Sequence, residues 1–211
     1  MTIVSLKIGA EEDLRRAESD CGSVFAFRLC YLPPPFSFDD IDGLEGRELG
    51  EAEQEALSAA CECLRAEGHA LRMIARAEQT AFSLGMKLAR RGFGRECSGA
   101  VVDRLRDLGL VDDRRFSGLW TQARAGRQAT SPLRLFAGLS AKGVDREDAR
   151  AAIDEALSEE AEMRLLERFA RKVSGKLCKG AQGQEEARRA LRRALKSEGF
   201  SPGAIAAFFE E

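Results

Sequence analysis

Two groups of basic side chains are the residues of this 211-residue chain best placed to do chemistry. Arg90, Arg91, Arg95, Arg124, Arg127, Arg134 and Lys142 occupy the middle of the sequence. Lys176, Lys179, Arg188, Arg189, Arg192, Arg193 and Lys196 crowd residues 176–196, opposed within that stretch only by Glu185 and Glu186. On a helix, Arg189, Arg192, Arg193 and Lys196 share one side by i, i+3 and i+4 spacing. Guanidinium and ammonium groups in such clusters recognise anions, either phosphate or carboxylate. Singly, each of these side chains is equally at home on a solvated helix face, so the clustering carries the signal.

Other constellations read as structure. Asp112 and Asp113 could suggest a metal or an acid–base pair, but they precede a helical pattern, where an N-cap and a favourable dipole charge explain them. Phe116 and Trp120 sit four apart, which is core spacing rather than a base-stacking platform. The six cysteines are Cys21, Cys30, Cys61, Cys63, Cys97 and Cys178, none in a C-x-x-C pair, and His69 is the one imidazole. That supply argues against a zinc site, and no cofactor is expected. No phosphate-binding G-x-x-x-x-G-K-[ST] loop occurs, and no nucleophile–base set is evident, so the chain reads as a non-enzyme. Scattered free thiols fit a reducing cytoplasm.

Charge is unevenly distributed. The formal net charge is −2, yet residues 1–69 carry −9, residues 70–150 carry +7, and residues 151–211 are neutral. A basic middle within a near-neutral whole points to a localised anionic partner. The N-terminus lacks a basic segment followed by an apolar run, so no signal peptide is expected. No apolar stretch approaches bilayer-spanning length, and a membrane partner is not expected.

The elements that must position these residues are helices with a recurring stop. Leu88, Gly92 and Phe93 are echoed by Leu139, Gly143 and Val144, then by Leu195, Gly199 and Phe200, at glycine spacings of 51 and 56 residues. Glycine at C′ in the left-handed region closes a Schellman motif, and the apolar C″ residue packs back on C3. Leu105, Gly109 and Leu110 repeat the pattern. The period marks a tandem helical repeat.

In the first unit, a helix from about Glu51 to Arg76, interrupted near Gly68, precedes a Thr80-capped helix and a third from about Glu96 to Leu108 that buries Val101, Val102 and Leu105. The second unit places Phe116, Leu119, Trp120 and Ala123 on one helix face, then a connector over Arg124 to Thr130. Ser131 and Pro132 start a helix burying Leu133, Phe136 and Leu139. Asp145 and Asp148 open the next, which buries Ala149, Ile153 and Leu157. The third unit comprises a helix from Glu159 to about Val173, a Gly/Lys loop from Ser174 to Gly183, a helix from Gln184 to Glu198, and a last helix with Ile205, Phe208 and Phe209 inward. The expected fold is mainly α: three-helix repeats over residues 51–110, 111–158 and 159–211 stacked into an elongated curved rod, behind a small β-containing extension over residues 1–50.

That extension reads as a two- or three-stranded meander. Ile3 to Ile8 alternates, and Val24 to Leu32 is rich in β-formers, with a polar stretch between them. Pro33, Pro34 and Pro35 end it. The segment is too short for its own core and is expected to pack on the first helices.

With these residues in place, the chain resembles the RecX family of recombinase regulators. In "GLVDDRRFSGLW", Leu110, Asp113, Phe116 and Ser117 match the family's hydrophobic turn, Asp, and aromatic followed by a small residue. In "SPLRLFAGLSAKGV", Pro132, Arg134, Leu135, Leu139, Lys142, Gly143 and Val144 match its Gly-Pro-x-Arg block and the Lys-Gly-Ile that follows. "ARAEQTAFSLGMKLARRGF" is similar to the first-unit block through Arg76, Glu78, Leu84, Lys87, Leu88, Gly92 and Phe93. Leu44 to Leu49 resembles an extension that some members carry. Residues 70–160 are well covered and the rest loosely. Ser131 stands where the family usually has Gly, Gln79 where His is common, and Gly138 where Glu is usual. Gly138 inside a helix should cost roughly 0.5–1 kcal/mol relative to Ala. The resemblance implies a non-enzymatic modulator of the RecA recombinase that binds along the groove of its filament on DNA. Such a protein limits filament extension, ATP hydrolysis, strand exchange and SOS coprotease activity. The other reading of the basic clusters is a helical module that binds single- or double-stranded DNA directly, without the recombinase. A monomer is expected.

Overall fold

The structure, a computed structural model, describes residues 1–34, 36, 41, 43–180 and 183–210, with the side chains of residues 178–180 left aside. Pro35, much of the acidic stretch after it, the side chains of Cys178 and Lys179, and residues 181–182 therefore lie outside the described set. The chain divides into two compact units, Met1–Val111 and Asp112–Glu211.

The first unit opens with three antiparallel strands in sequence order, β1 (Ile3–Ile8), β2 (Leu14–Ser19) and β3 (Val24–Arg28). The polar stretch between the expected strands is itself the middle strand. Its inward positions are Arg15, Ala17 and Ser19, so only Ala17 betrays it as apolar. Leu6 pairs with Ala17 and Ala17 with Phe25, which puts one inner layer in register. Residues 44–49 lie along the free edge of β1. The Ile3 amide donates to the Arg47 carbonyl at 3.1 Å, and the Leu49 amide to that of Met1 at 2.8 Å.

Against this sheet packs α1 (Glu51–Ile74), and α2 (Ala81–Ala89) and α3 (Arg95–Asp107) pack on α1 and on each other. α1 runs 24 residues unbroken through Gly68. The single glycine is outweighed by the buried stripe of Ala56, Leu57, Ala60, Cys63, Ala66 and Ala70. A buried polar knot joins the layers. Glu67 of α1 accepts from Arg28 Nε at 2.9 Å and from the Tyr31 hydroxyl at 2.8 Å. Asp13 pairs with Arg28 at 2.6 Å and with Arg104 of α3 at 3.1 Å. Burial first, then the Glu67 carboxylate, pushes the Tyr31 phenol well above its usual range.

The second unit is entirely helical among its described residues: α4 (Asp113–Arg127), α5 (Pro132–Ser140), α6 (Arg146–Ala156), α7 (Glu159–Gly180), α8 (Gln184–Glu198) and α9 (Pro202–Glu210). Two expected loops are helix. α4 continues through Arg124 to Arg127, and α7 continues past Val173 to Gly180, because neither stretch holds a proline and each glycine within them is tolerated at modest cost. Two expected core residues lie outward. Leu119 and Leu133 are exposed, and Leu135 takes the buried place on α5 beside Leu139. Ala123 is exposed as well, and the buried edge of α4 is small and polar, Ser117 and Thr121.

The recurring stops are Schellman caps. The amides of Phe93, Leu110, Val144 and Phe200 donate to the carbonyls of Leu88, Leu105, Leu139 and Leu195 at 2.9–3.3 Å. Gly92, Gly109, Gly143 and Gly199 have φ between 67° and 96°. At the second of these stops the buried apolar residue is Val111 rather than Leu110, which stays exposed.

Candidate functional site

The second unit carries a groove of about 1060 Å³ whose walls come mainly from three helices, with Glu198 added from the end of α8. α4 contributes Trp120, Arg124 and Arg127, at i, i+4 and i+7. Arg134, Gly138 and Lys142 follow at i, i+4 and i+8 along α5 and just past its end. α7 adds Arg168, Phe169 and Lys172. Each helix turns one aligned row into the same space, as 3.6-residue periodicity requires.

Local structure sets the rows. Asp112 caps α4, its carboxylate accepting from the Arg115 amide at 2.9 Å. The Ser131 hydroxyl accepts from the Arg134 amide at 3.2 Å and donates to the Glu198 carbonyl at 2.5 Å, which ties the start of α5 to the end of α8. The Arg168 guanidinium lies 3.5 Å from the carbonyls of Ala125 and Arg127, where a cation complements the negative end of α4.

The groove holds six cations and a single carboxylate, Glu198, which Arg134 engages at 2.8 Å. Arg124, Arg127 and Lys172 have no carboxylate partner among the described residues. Arg124 stands 5.7 Å from the Trp120 ring centre. The Lys142 ammonium is 5.9 Å from the Phe116 ring and 6.0 Å from that of Trp120. Like charges gathered in a concave, low-dielectric wall focus a positive potential. Such an arrangement can attract an extended anion. Among the described residues no three His, Cys, Asp or Glu side chains gather as a metal site would need, and no helix is long and apolar enough to cross a membrane.

Four of the expected site residues thus converge: Arg124, Arg127, Arg134 and Lys142. Arg168 and Lys172 join them and were missed by sequence reasoning, although their own i, i+4 spacing on a long amphipathic helix was a usable signal. The remaining candidates lie elsewhere. Arg90 is the C-cap of α2, Arg91 folds back toward Met73 and Lys87, and Arg95 opens α3, all in the first unit. On α8, Arg189, Arg192 and Arg193 of the expected face line a separate depression with Glu185 and Glu186. Arg188 and Arg192 both lie over Phe209, at 5.4 and 4.9 Å, and Arg188 also donates to the Phe209 carbonyl at 2.6 Å. Lys196 is exposed.

Comparison with known proteins follows the same segment. The family model for the second three-helix domain of RecX matches residues 112–153, which hold α4, α5 and most of α6. The regulatory protein RecX of Treponema pallidum (strain Nichols) is 33% identical over 154 residues, covering 71% of this chain and 87% of that protein. The RecX of Thermobifida fusca (strain YX) is 32% identical over 173 residues, covering 75% and 91%. A solved crystal structure of a regulatory protein RecX superposes with a TM-score of 0.79 over 100% of this chain and 99% of that one; at 18% identity the likeness is one of fold.

Proposed function

Because this chain belongs to the RecX family of regulatory proteins, we propose that it modulates a RecA recombinase by binding the recombinase filament on DNA. The bound chain limits filament extension and, with it, ATP hydrolysis, strand exchange and SOS coprotease activity. The observation that carries this reading is the basic groove, built largely from the segment that the family model matches. A filament offers what such a groove can recognise, acidic protein surface and DNA phosphate along an extended track. Helices α1–α3, α4–α6 and α7–α9 act as three tandem triplets over residues 51–110, 111–158 and 159–211, behind an extension over residues 1–50. In this reading the protein is a non-enzymatic monomer acting in the cytoplasm.

The test is DNA-dependent ATP hydrolysis by the cognate recombinase on single-stranded DNA, titrated with this protein, with binding to the DNA alone followed in the same buffer. Suppression at far less than one chain per recombinase subunit is expected, since one bound chain stops growth past it. An effect that appears only as the DNA saturates would sink the proposal and favour direct DNA binding, with its steep salt dependence.

A further inference from the structure

We propose that Trp120 is a positioning residue that presets Arg124 and Lys142 on the wall of the basic groove for an anionic partner. The inference rests on reading that groove as the partner-facing surface. Three observations meet at this side chain. First, the ring is seated against the backbone of α5 at Gly138: a Cβ there would stand 2.4 Å from Trp120 Cη2 and 3.1 Å from Cζ2. No larger residue fits with the ring in place, so the glycine is a notch rather than a defect in the helix. Second, Arg124, one turn further along α4, lies 5.7 Å from the ring centre. Third, Lys142, one turn past Gly138, is bracketed by Trp120 and Phe116 at 6.0 and 5.9 Å. The two helices therefore present a ladder in which rings and cations alternate.

The physics favours preorganisation. A long cationic side chain in water samples many rotamers, and an anion that binds it must first order it. A cation held near an aromatic face has lost that freedom already. Trp120 remains half-buried beside the core formed by Leu135, Leu139 and Ile153, which fixes the ring. The residue thus acts through its neighbours.

The chain contains one tryptophan, so its emission reports on this ladder alone. The experiment uses the full chain and two probes, a 20-nucleotide oligodeoxythymidylate as the phosphate source and poly-L-glutamate as the carboxylate source. Wild-type protein is expected to bind at least one of them with a change in Trp120 emission. Trp120→Leu should weaken that binding about three- to tenfold, the worth of one or two exposed cation–π contacts. Trp120→Phe, which keeps a ring, should retain most of it. Gly138→Ala, which displaces the ring while adding a better helix former, should weaken binding as Trp120→Leu does. In a double-mutant cycle, Arg124→Gln should cost less in the Trp120→Leu background than in wild type.

Additive effects of Trp120→Leu and Arg124→Gln, or unchanged binding by Trp120→Leu, would overturn the positioning role. So would wild-type protein that binds neither probe. In that last case persistent suppression of recombinase ATP hydrolysis would leave the regulator reading standing without this groove.

Discussion

The two units of this protein each gather arginines around helices, and they treat them in opposite ways. In the first unit Arg28 is nearly buried, and Glu11, Asp13 and Glu67 surround it at 2.6–2.9 Å, with Arg104 completing the knot. Hydrogen bonding to Glu11 leads the effects that push its guanidinium pKa even higher than usual. In the second unit Arg124, Arg127 and Lys172 line an open groove and have no carboxylate partner among the described residues. A buried charge must be paired to be tolerated at all, so the first cluster is part of how the unit holds together. Charge left unpaired in a concave surface contributes little to folding and retains its attraction for something outside the molecule. What separates the two sets of arginines is the presence of a neighbouring carboxylate, since residue type is the same in both.

The largest test of that contrast removes the carboxylate. Glu67→Ala removes the most buried acceptor of the knot and leaves the Tyr31 hydroxyl without it, while Arg28 keeps Glu11 and Asp13, so a loss of about 1–3 kcal/mol is expected. Urea unfolding followed through Tyr31, the single tyrosine, should register that loss. A loss below about 1 kcal/mol would mean that the knot is solvated and the contrast false.

The reverse experiment acts on the groove. Arg127→Gln with Lys172→Gln should leave stability within about 0.5 kcal/mol, as surface changes generally do. The same pair should weaken binding to single-stranded DNA and flatten its logarithmic salt dependence by about 1.4, the release of roughly two counterions. Equilibrium binding at several salt concentrations reads this directly, and an unchanged slope would place the anion elsewhere.

A smaller effect concerns pH. The Tyr31 phenol is raised from an ordinary value of 10, so its neutral form is favoured in the folded state. Stability from that group is present below pH 10 and is lost as the pH climbs past it. Phenolate absorbance should therefore stay absent in folded protein above pH 10 and appear only on unfolding. The smallest expected change is that of Arg134→Gln, within the groove but paired with Glu198 through a largely exposed guanidinium. Stability should fall by no more than about 1 kcal/mol, and anion binding should drop less than for Arg127→Gln. An equal or greater loss at Arg134 would mean that Glu198 yields it to the partner.

Much of this was legible beforehand. The Leu-x-x-x-Gly-apolar stops mark the helix ends because a left-handed C′ residue has a strong local chemical preference, and all four form the expected hydrogen bonds. Thr80, Asp112, Ser131 and Asp145 were equally readable as caps. β2 was not, because its inward residues are Arg15, Ala17 and Ser19, and their burial comes from the neighbours that cover them. Leu133 and Leu135 were exchanged because helical spacing fixes which residues share a face, not which face is covered.

The sequence by itself determined where helices stop, that a small sheet precedes them, that the middle of the chain is basic, and which family the chain resembles. These depend on contacts within a few residues or on residue type alone. Tertiary structure decided which cations converge. Arg168 and Lys172 enter the groove from a helix far along the chain, while Arg188 and Arg192 are drawn to Phe209. It also decided the meaning of Gly138. Propensity makes it a cost in the helix, whereas packing makes it the one residue that admits Trp120, because a contact between two helices cannot be computed from either alone.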